Sequence, residues 1–138
     1  MYDDILVPVG PELTSNQAAL DEAAMFASDV GSTLHLLYVW LNDDEKDEHM
    51  SSDNQHPEAI THAMEYLDDS FDVLCYTVSR KNTADAIVEQ GYGLNADAIL
   101  MGTNASTGVK RMVLGSITEA TIRKSTLPVI AVNYHDDK

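Results

Sequence analysis

The sequence predicts an α/β fold in which a single doubly wound, five-stranded parallel sheet carries helices on both faces. Short apolar runs alternate with segments of helical periodicity from one end of the chain to the other. Alternation of this kind is typical of a parallel sheet built with right-handed crossovers. The length of 138 residues suits one domain, which we place at residues 1–138.

The elements follow the order β-α-β-α-β-α-β-α-β. Each strand is a short apolar run, and each helix repeats its apolar residues at helical spacing. The predicted strands cover residues 5–9, 33–40, 72–79, 98–101 and 128–132. The predicted helices cover residues 14–30, a segment beginning at 57, 83–94 and 116–125.

Cap residues place the ends of two of these helices. Thr14 and Gln17 have the spacing of a capping box, so the first helix should begin near Ser15. Gly31 suits the C-terminal cap of that helix, because glycine adopts the left-handed conformation at little cost. Thr83 is the predicted N-cap of the third helix.

The chain is strongly acidic, with 23 Asp and Glu against 8 Lys and Arg and a net charge of −15. Such a surface repels nucleic acid and anionic lipid, so neither a nucleic acid nor a membrane is an expected partner. We interpret the charge as adaptation to a halophilic, high-salt cytoplasm, where screening shortens the range of carboxylate repulsion. An ordinary acidic protein whose charge gives solubility is the alternative.

Cysteine usage and hydropathy point to a cytoplasmic protein. Cys75 is the single cysteine, so it has no disulfide partner within the chain and is expected to be a small buried apolar residue. No segment approaches the roughly 20 apolar residues needed to span a bilayer. The N-terminus has no basic region before an apolar one, so we expect no signal peptide and a cytoplasmic location.

The pattern alone does not decide the strand order. The doubly wound orders 2-1-3-4-5 and 3-2-1-4-5 both fit this succession of elements. In either order a ligand binds at the carboxyl ends of the strands, near the point where the order reverses. The loops at that edge are predicted at residues 10–13, 41–55, 80–82 and 103–114.

The loop between the fourth strand and the fourth helix carries the clearest signs of a binding site. It leaves the strand at Gly102 and enters the helix at Gly115 and Ser116. Ser116 and Glu119 have the spacing of a capping box. Backbone amides at a helix N-terminus, with a glycine that lets a ligand approach, form an anion site. The nearby hydroxyl donors are Thr103, Thr107, Ser116 and Thr118.

Local charge supports an anion site. Between residues 102 and 134 the basic residues are Lys110, Arg111, Arg123 and Lys124, and the only acid is Glu119. Arg123 and Lys124 could merely complement the negative end of the last helix. The other two basic residues precede that helix, and a bound anion is the explanation we favour for them.

These features resemble the universal stress protein family. Nucleotide-binding members carry the motif Gly-x2-Gly-x9-Gly-Ser/Thr, which Gly102, Gly115 and Ser116 match at the right spacing. The resemblance covers nearly the whole chain. The further runs that are similar to the family lie at residues 5–9, 36–39, 96–102 and 127–132.

The resemblance implies a fold, a partner and a site. The implied strand order is 3-2-1-4-5, and the implied partner is a second copy of the chain, paired through the last strand. The implied cofactor is an adenine nucleotide, ATP with magnesium. The residues implied near the base are Pro8, Val9 and Val39. The residues implied near the phosphates are Met101, Gly102, Gly115, Ser116, Ile117 and Thr118.

Two positions of the candidate site depart from the family pattern. Ala105 stands where the family has its second glycine, and its Cβ costs about 1–2 kcal/mol if the backbone there is left-handed. Gly10 stands where ATP-binding members have an acid on the ribose and metal side, so that carboxylate is absent. With Thr103, these two positions complete the candidate nucleotide-binding residues.

We therefore expect a dimeric stress-response protein that binds adenine nucleotide without catalysing a reaction. A ligand-free interaction module of the same fold is one alternative. A slow ATPase, or a protein that transfers phosphate to its own Ser116 or Thr118, is another. No Gly-x-Gly-x-x-Gly follows the first strand and no Walker motif occurs, which argues against dehydrogenases and P-loop enzymes. Neither a set of catalytic side chains nor a metal-binding spacing of histidines is evident.

Overall fold

Five strands and four helices alternate in a computed structural model that describes residues 2–11, 13–41, 57–67, 71–104 and 115–134. The strands are β1 (Asp4–Pro8), β2 (Thr33–Leu41), β3 (Val73–Arg80), β4 (Ala98–Asn104) and β5 (Val129–Tyr134). The helices are α1 (Leu13–Val30), α2 (Glu58–Leu67), α3 (Thr83–Gly93) and α4 (Ser116–Lys124). None of these described helices is both long and apolar enough to cross a membrane.

The strands form one parallel sheet in the order β3-β2-β1-β4-β5. β1 lies at the centre, where it pairs with β2 along its whole length and with β4 at Ile5 and Leu6. The predicted fold class and the strand order implied by the family resemblance are both confirmed. The order reverses between β1 and β4, so a crevice is expected at their carboxyl ends.

Both faces of the sheet are buried, because alternate residues of a strand point to opposite sides. On one face Val7 belongs to a buried cluster with Leu20 of α1 and Ile60 of α2. On the other face Leu6 belongs to a cluster with Ile87 of α3. The helices thus cover the sheet from both sides, as the continuous apolar runs of its strands require.

The cap residues predicted for α1 and α3 do not cap these helices. α1 begins at Leu13, so Thr14 lies inside the helix and the predicted capping box does not mark its start. α3 is capped by Asn82, whose side-chain Oδ1 accepts a hydrogen bond of 2.9 Å from the backbone N–H of Asp85. Asn82 has the extended conformation that an N-cap needs, whereas Thr83, the predicted cap, is already the first helical residue.

β4 also runs past its predicted end. The sequence placed the end of this strand at Gly102, but the strand continues to Asn104. The reason is its neighbour, since β5 extends to Tyr134 and pairs Thr103 with Asn133 and Asn104 with Tyr134. The extension carries Thr103 to the carboxyl edge of the sheet, where the candidate site lies.

Candidate functional site

A cleft of about 340 Å³ lies at the carboxyl ends of β1 and β4, where the strand order reverses. Ligands of doubly wound proteins bind at such a point, because the chain leaves neighbouring strands toward opposite faces of the sheet. The starts of α1, α3 and α4 contribute to the same cleft. Its lining consists of Pro8, Val9, Gly10, Pro11, Ser15, Asn16, Thr83, Ile87, Met101, Gly102, Thr103, Gly115, Ser116, Ile117 and Thr118.

Most residues predicted for the nucleotide site line this cleft. They are Pro8, Val9, Gly10, Met101, Gly102, Thr103, Gly115, Ser116, Ile117 and Thr118. Val39 does not line it, because β2 lies on the side of β1 away from β4, and Val39 packs against the buried cluster beneath α3. Ala105 lies outside the described residues.

Sequence reasoning missed Pro11, Ser15, Asn16, Thr83 and Ile87. Asn16 holds the chain that leaves β1, because its side chain pairs with both backbone groups of Gly10. Its Oδ1 accepts a hydrogen bond of 2.9 Å from the N–H of Gly10, and its Nδ2 donates one of 2.7 Å to the carbonyl oxygen. Adjacent hydroxyl and amide side chains at the start of the first helix were the available signal, since helix starts meet at this edge of a parallel sheet.

Gly102 is required by the packing of α1 on β4. A Cβ at this position would lie 2.4 Å from the carbonyl oxygen of Ser15 and 2.8 Å from its Oγ. The first turn of α1 can therefore approach β4 this closely only over a glycine. The packing of α1 on β4 is therefore enough to require a glycine at this position of the motif, whether or not a ligand binds in the cleft.

The N-terminus of α4 differs from its prediction. Its N-cap is Gly115, at φ −65° and ψ 158°, which supplies no side-chain cap hydrogen bond. Ser116 is already helical, so the predicted capping box of Ser116 and Glu119 is not formed. Glu119 instead forms an ion pair with Arg123 one turn later, at 3.1 Å.

The start of α4, where no side chain makes a cap hydrogen bond, brings backbone donors to the cleft. The hydrogen bond from the N–H of Glu119 to the carbonyl of Gly115, at 2.9 Å, is the first i to i−4 bond of the helix. The N–H groups of Ser116, Ile117 and Thr118 precede it and have no acceptor within the helix. All three residues line the cleft, and the helix dipole adds partial positive charge there. This arrangement favours an anion.

Buried hydroxyl groups surround the same donors. Thr103 is 1% exposed, and its Oγ1 accepts a hydrogen bond of 2.9 Å from the N–H of Gly115, which ties the start of α4 to the end of β4. Ser15 is 9% exposed and Thr118 is 3% exposed, and both residues line the cleft.

None of the described lining residues carries a charged side chain. Arg123 and Lys124 lie in the last turn of α4, where they pair with Glu119 at 3.1 Å and with Asp85 at 2.5 Å. These two basic residues therefore complement the helix end and the neighbouring helix rather than the cleft. The other two basic residues behind the predicted anion site lie outside the described residues. Anion attraction in the described cleft therefore comes from the backbone.

Other reactive side chains lie away from the cleft. His35 is buried on β2, with Nε2 at 2.9 Å from the Asp4 carboxylate and Nδ1 at 3.0 Å from the Tyr76 hydroxyl. Cys75 is partly buried on β3, and burial raises the pKa of its thiol. Among the described residues, no group of three or more His, Cys, Asp or Glu could hold a metal ion. We assign these groups structural roles.

Sequence comparison connects the chain with a family. The universal stress protein family matches over residues 1–133. Universal stress protein MJ0531 of Methanocaldococcus jannaschii is 43% identical over 49 residues, which are 36% of this chain and 29% of that protein. The match to this relative therefore spans less than a third of its length.

Two solved structures share the fold over nearly the whole of both chains. A universal stress protein in complex with cAMP is 19% identical, with a TM-score of 0.71 over 97% of this chain and 98% of that one. The universal stress protein from Archaeoglobus fulgidus in complex with dAMP is 20% identical, with a TM-score of 0.67 over 95% of this chain and 98% of that one. At these identities the likeness shows the fold alone. Because the family pattern also matches nearly end to end, the chain belongs to the universal stress protein family.

Proposed function

We propose that the chain is a stress-response protein that binds an adenine nucleotide in the cleft between β1, β4 and the start of α4. The observation that carries this proposal is the N-terminus of α4, where no side chain makes a cap hydrogen bond. The N–H groups of Ser116, Ile117 and Thr118 line the cleft without an acceptor in their own helix. Helix starts of this kind bind phosphate groups, so the phosphate is placed here.

The rest of the cleft suits an aromatic base. Pro8, Val9, Ile87, Met101 and Ile117 give it apolar walls, and Val9 and Met101 are almost completely buried. Small-molecule sites commonly combine such walls with a few fixed polar groups. A ligand that joins a flat base to a phosphate would use both parts of the cleft.

Proteins of the same fold support this ligand class. The universal stress proteins solved with cAMP and with dAMP each hold an adenine nucleotide. Those ligands belong to those proteins, and their relevance here rests on the family membership of the chain. The cleft described above has the apolar walls and the anion-binding helix start that such a ligand needs.

The cleft favours binding over catalysis. Hydrolysis, or transfer of a phosphoryl group to Ser116, needs a base that activates water or the hydroxyl. The described lining contains no His, Cys, Asp, Glu or Lys side chain. We therefore propose that the protein responds to occupancy of the cleft by nucleotide and does not turn the nucleotide over.

Gly115→Val tests the role of the helix start. Among the described residues, a Cβ at Gly115 would meet only the Oγ1 of Thr103, at 3.8 Å, so the fold should tolerate the substitution. The branched side chain would then occupy the space beside the free amides. Isothermal titration calorimetry with AMP and ATP should show binding to the parent chain. The affinity of the variant should be lower by about tenfold or more.

Gly93→Val is the matched control, because Gly93 has open space around it and does not line the cleft. Its nucleotide affinity should equal that of the parent chain. Equal weakening in both variants would show that the effect is not local to α4. If the folded parent chain binds neither nucleotide, the proposal is wrong, and the interpretation of the chain as a ligand-free interaction module takes its place.

A further inference from the structure

The described lining of the cleft carries no charged side chain, and this limits which form of nucleotide it can hold. Magnesium at nucleotide sites is held by carboxylate and phosphate oxygens. The described lining offers hydroxyls, one amide side chain and backbone groups, but no carboxylate, so it does not fit a magnesium ion. We propose that the cleft takes a nucleotide with a single phosphate group and binds it without a divalent cation. This inference rests on the proposed function and specifies the form of its ligand.

The donors at the start of α4 match one phosphate group. Three backbone N–H groups, from Ser116, Ile117 and Thr118, are free of partners within the helix, and the buried Thr118 hydroxyl lies beside them. A phosphate monoester carries a charge of about −1.5 to −2 and three strong acceptor oxygens. These donors and the helix dipole can satisfy such a group.

Further phosphates would find no compensation in the described lining. Each would add negative charge where no described lining side chain is cationic, in a chain whose net charge is −15. Magnesium normally offsets that charge in ATP sites, and the described lining has no carboxylate to hold it. AMP should therefore bind more tightly than ATP.

Position 10 is the place where a carboxylate would change this preference. Gly10 lines the cleft, and both of its backbone groups are held by Asn16, at 2.9 and 2.7 Å. A Cβ at Gly10 would meet none of the described residues within 4 Å. An aspartate can thus be added to the lining without disturbing the packing of the described residues around it. Glu12, two residues further along the chain, lies outside the described residues and is tested separately.

The first experiment is calorimetric titration of the parent chain with AMP and with ATP, in excess EDTA and in excess magnesium, at the lowest KCl that keeps it folded. AMP should bind equally well in both conditions, and ATP in EDTA should bind about tenfold more weakly than AMP. A tenfold loss of AMP binding in EDTA would overturn the inference and leave the proposed function standing. No binding of either nucleotide in either condition would overturn both.

The second experiment introduces the missing charge. Gly10→Asp should weaken AMP binding about tenfold in EDTA, through repulsion of the phosphate, and magnesium should restore it. Gly10→Asn has the same size without the charge, so its affinity should be the same in EDTA and in magnesium. Glu12→Gln should behave as the parent chain does. A magnesium effect on the parent chain that Glu12→Gln abolishes, or a Gly10→Asp variant indifferent to magnesium, would contradict the inference.

Discussion

Gly102→Ala tests the close packing of α1 against β4 beneath the cleft. The added Cβ would lie 2.4 Å from the carbonyl oxygen of Ser15 and 2.8 Å from its Oγ. The hydroxyl can rotate, but the carbonyl belongs to the backbone of α1, so the first turn of the helix must move. Overpacking of this kind costs about 1–3 kcal/mol. For a chain of this length that cost corresponds to a melting temperature lower by about 4–12 °C.

Thermal melting followed by circular dichroism, at one fixed KCl concentration, measures the effect. Gly10→Ala is the control, because a Cβ at Gly10 meets no described residue within 4 Å. The control should melt within about 2 °C of the parent chain. If Gly102→Ala melted as close to the parent as the control does, the contact between Ser15 and Gly102 would not constrain the packing, and the reasoning would be refuted.

Three further predictions concern charge, assembly and a partly buried tyrosine. The melting temperature should rise from dilute buffer to molar KCl, because the Debye length falls from about 10 Å at 0.1 M to about 3 Å at 1 M and screens the net charge of −15. No rise would contradict the halophilic interpretation. Ile130→Asp should give monomers or insoluble protein if a homodimer forms through the edge strand β5, and sedimentation of the parent chain as a monomer at micromolar concentration would refute that pairing. Burial, and secondarily the Asp4 carboxylate, raise the pKa of Tyr76 above its ordinary value of 10.0. The neutral phenol therefore stabilises the fold below pH 10, and this contribution is lost as the pH rises through the higher pKa of the folded state. Urea unfolding below and above that window should show a smaller alkaline loss for Tyr76→Phe than for the parent chain, and equal losses would show that the phenol does not contribute.

The succession of strands and helices could be predicted from periodicity, because each apolar run and each helical face records its own burial. The arrangement of the strands could not, since two doubly wound orders share the same succession. The strand order 3-2-1-4-5 was predicted only because the motif formed by Gly102, Gly115 and Ser116 resembles that of a known family. The end of β4 was misjudged because its last pairs, up to Asn104, depend on how far β5 extends. Where the end of a strand depends on pairing with a neighbouring strand, the strand's own sequence does not predict it.

The residues of the candidate site likewise fall into those that local sequence predicts and those that depend on how neighbouring elements pack. Residues at the carboxyl ends of β1 and β4 were predictable, because their place at the carboxyl edge follows from the strands alone. Ser15 and Asn16 were missed, although their place at the start of α1 was an available signal, because their approach to the cleft also depends on how α1 packs on β4. The capping box at Ser116 failed because Gly115 already serves as the N-cap. That failure matters for function, since it leaves the amides of the first turn without a side-chain acceptor.

The most direct measurement is the change in backbone amide NMR signals of the ¹⁵N-labelled chain as AMP is added in EDTA. The signals of Ser116, Ile117 and Thr118 should move most and saturate with the binding isotherm, because these N–H groups would donate to the phosphate. The signal of Tyr66, which lines a second groove of about 210 Å³ between α1 and α2 but not the cleft, should stay where it is. Largest shifts around that groove, or an unmoved start of α4 at saturating AMP, would contradict phosphate binding by the helix.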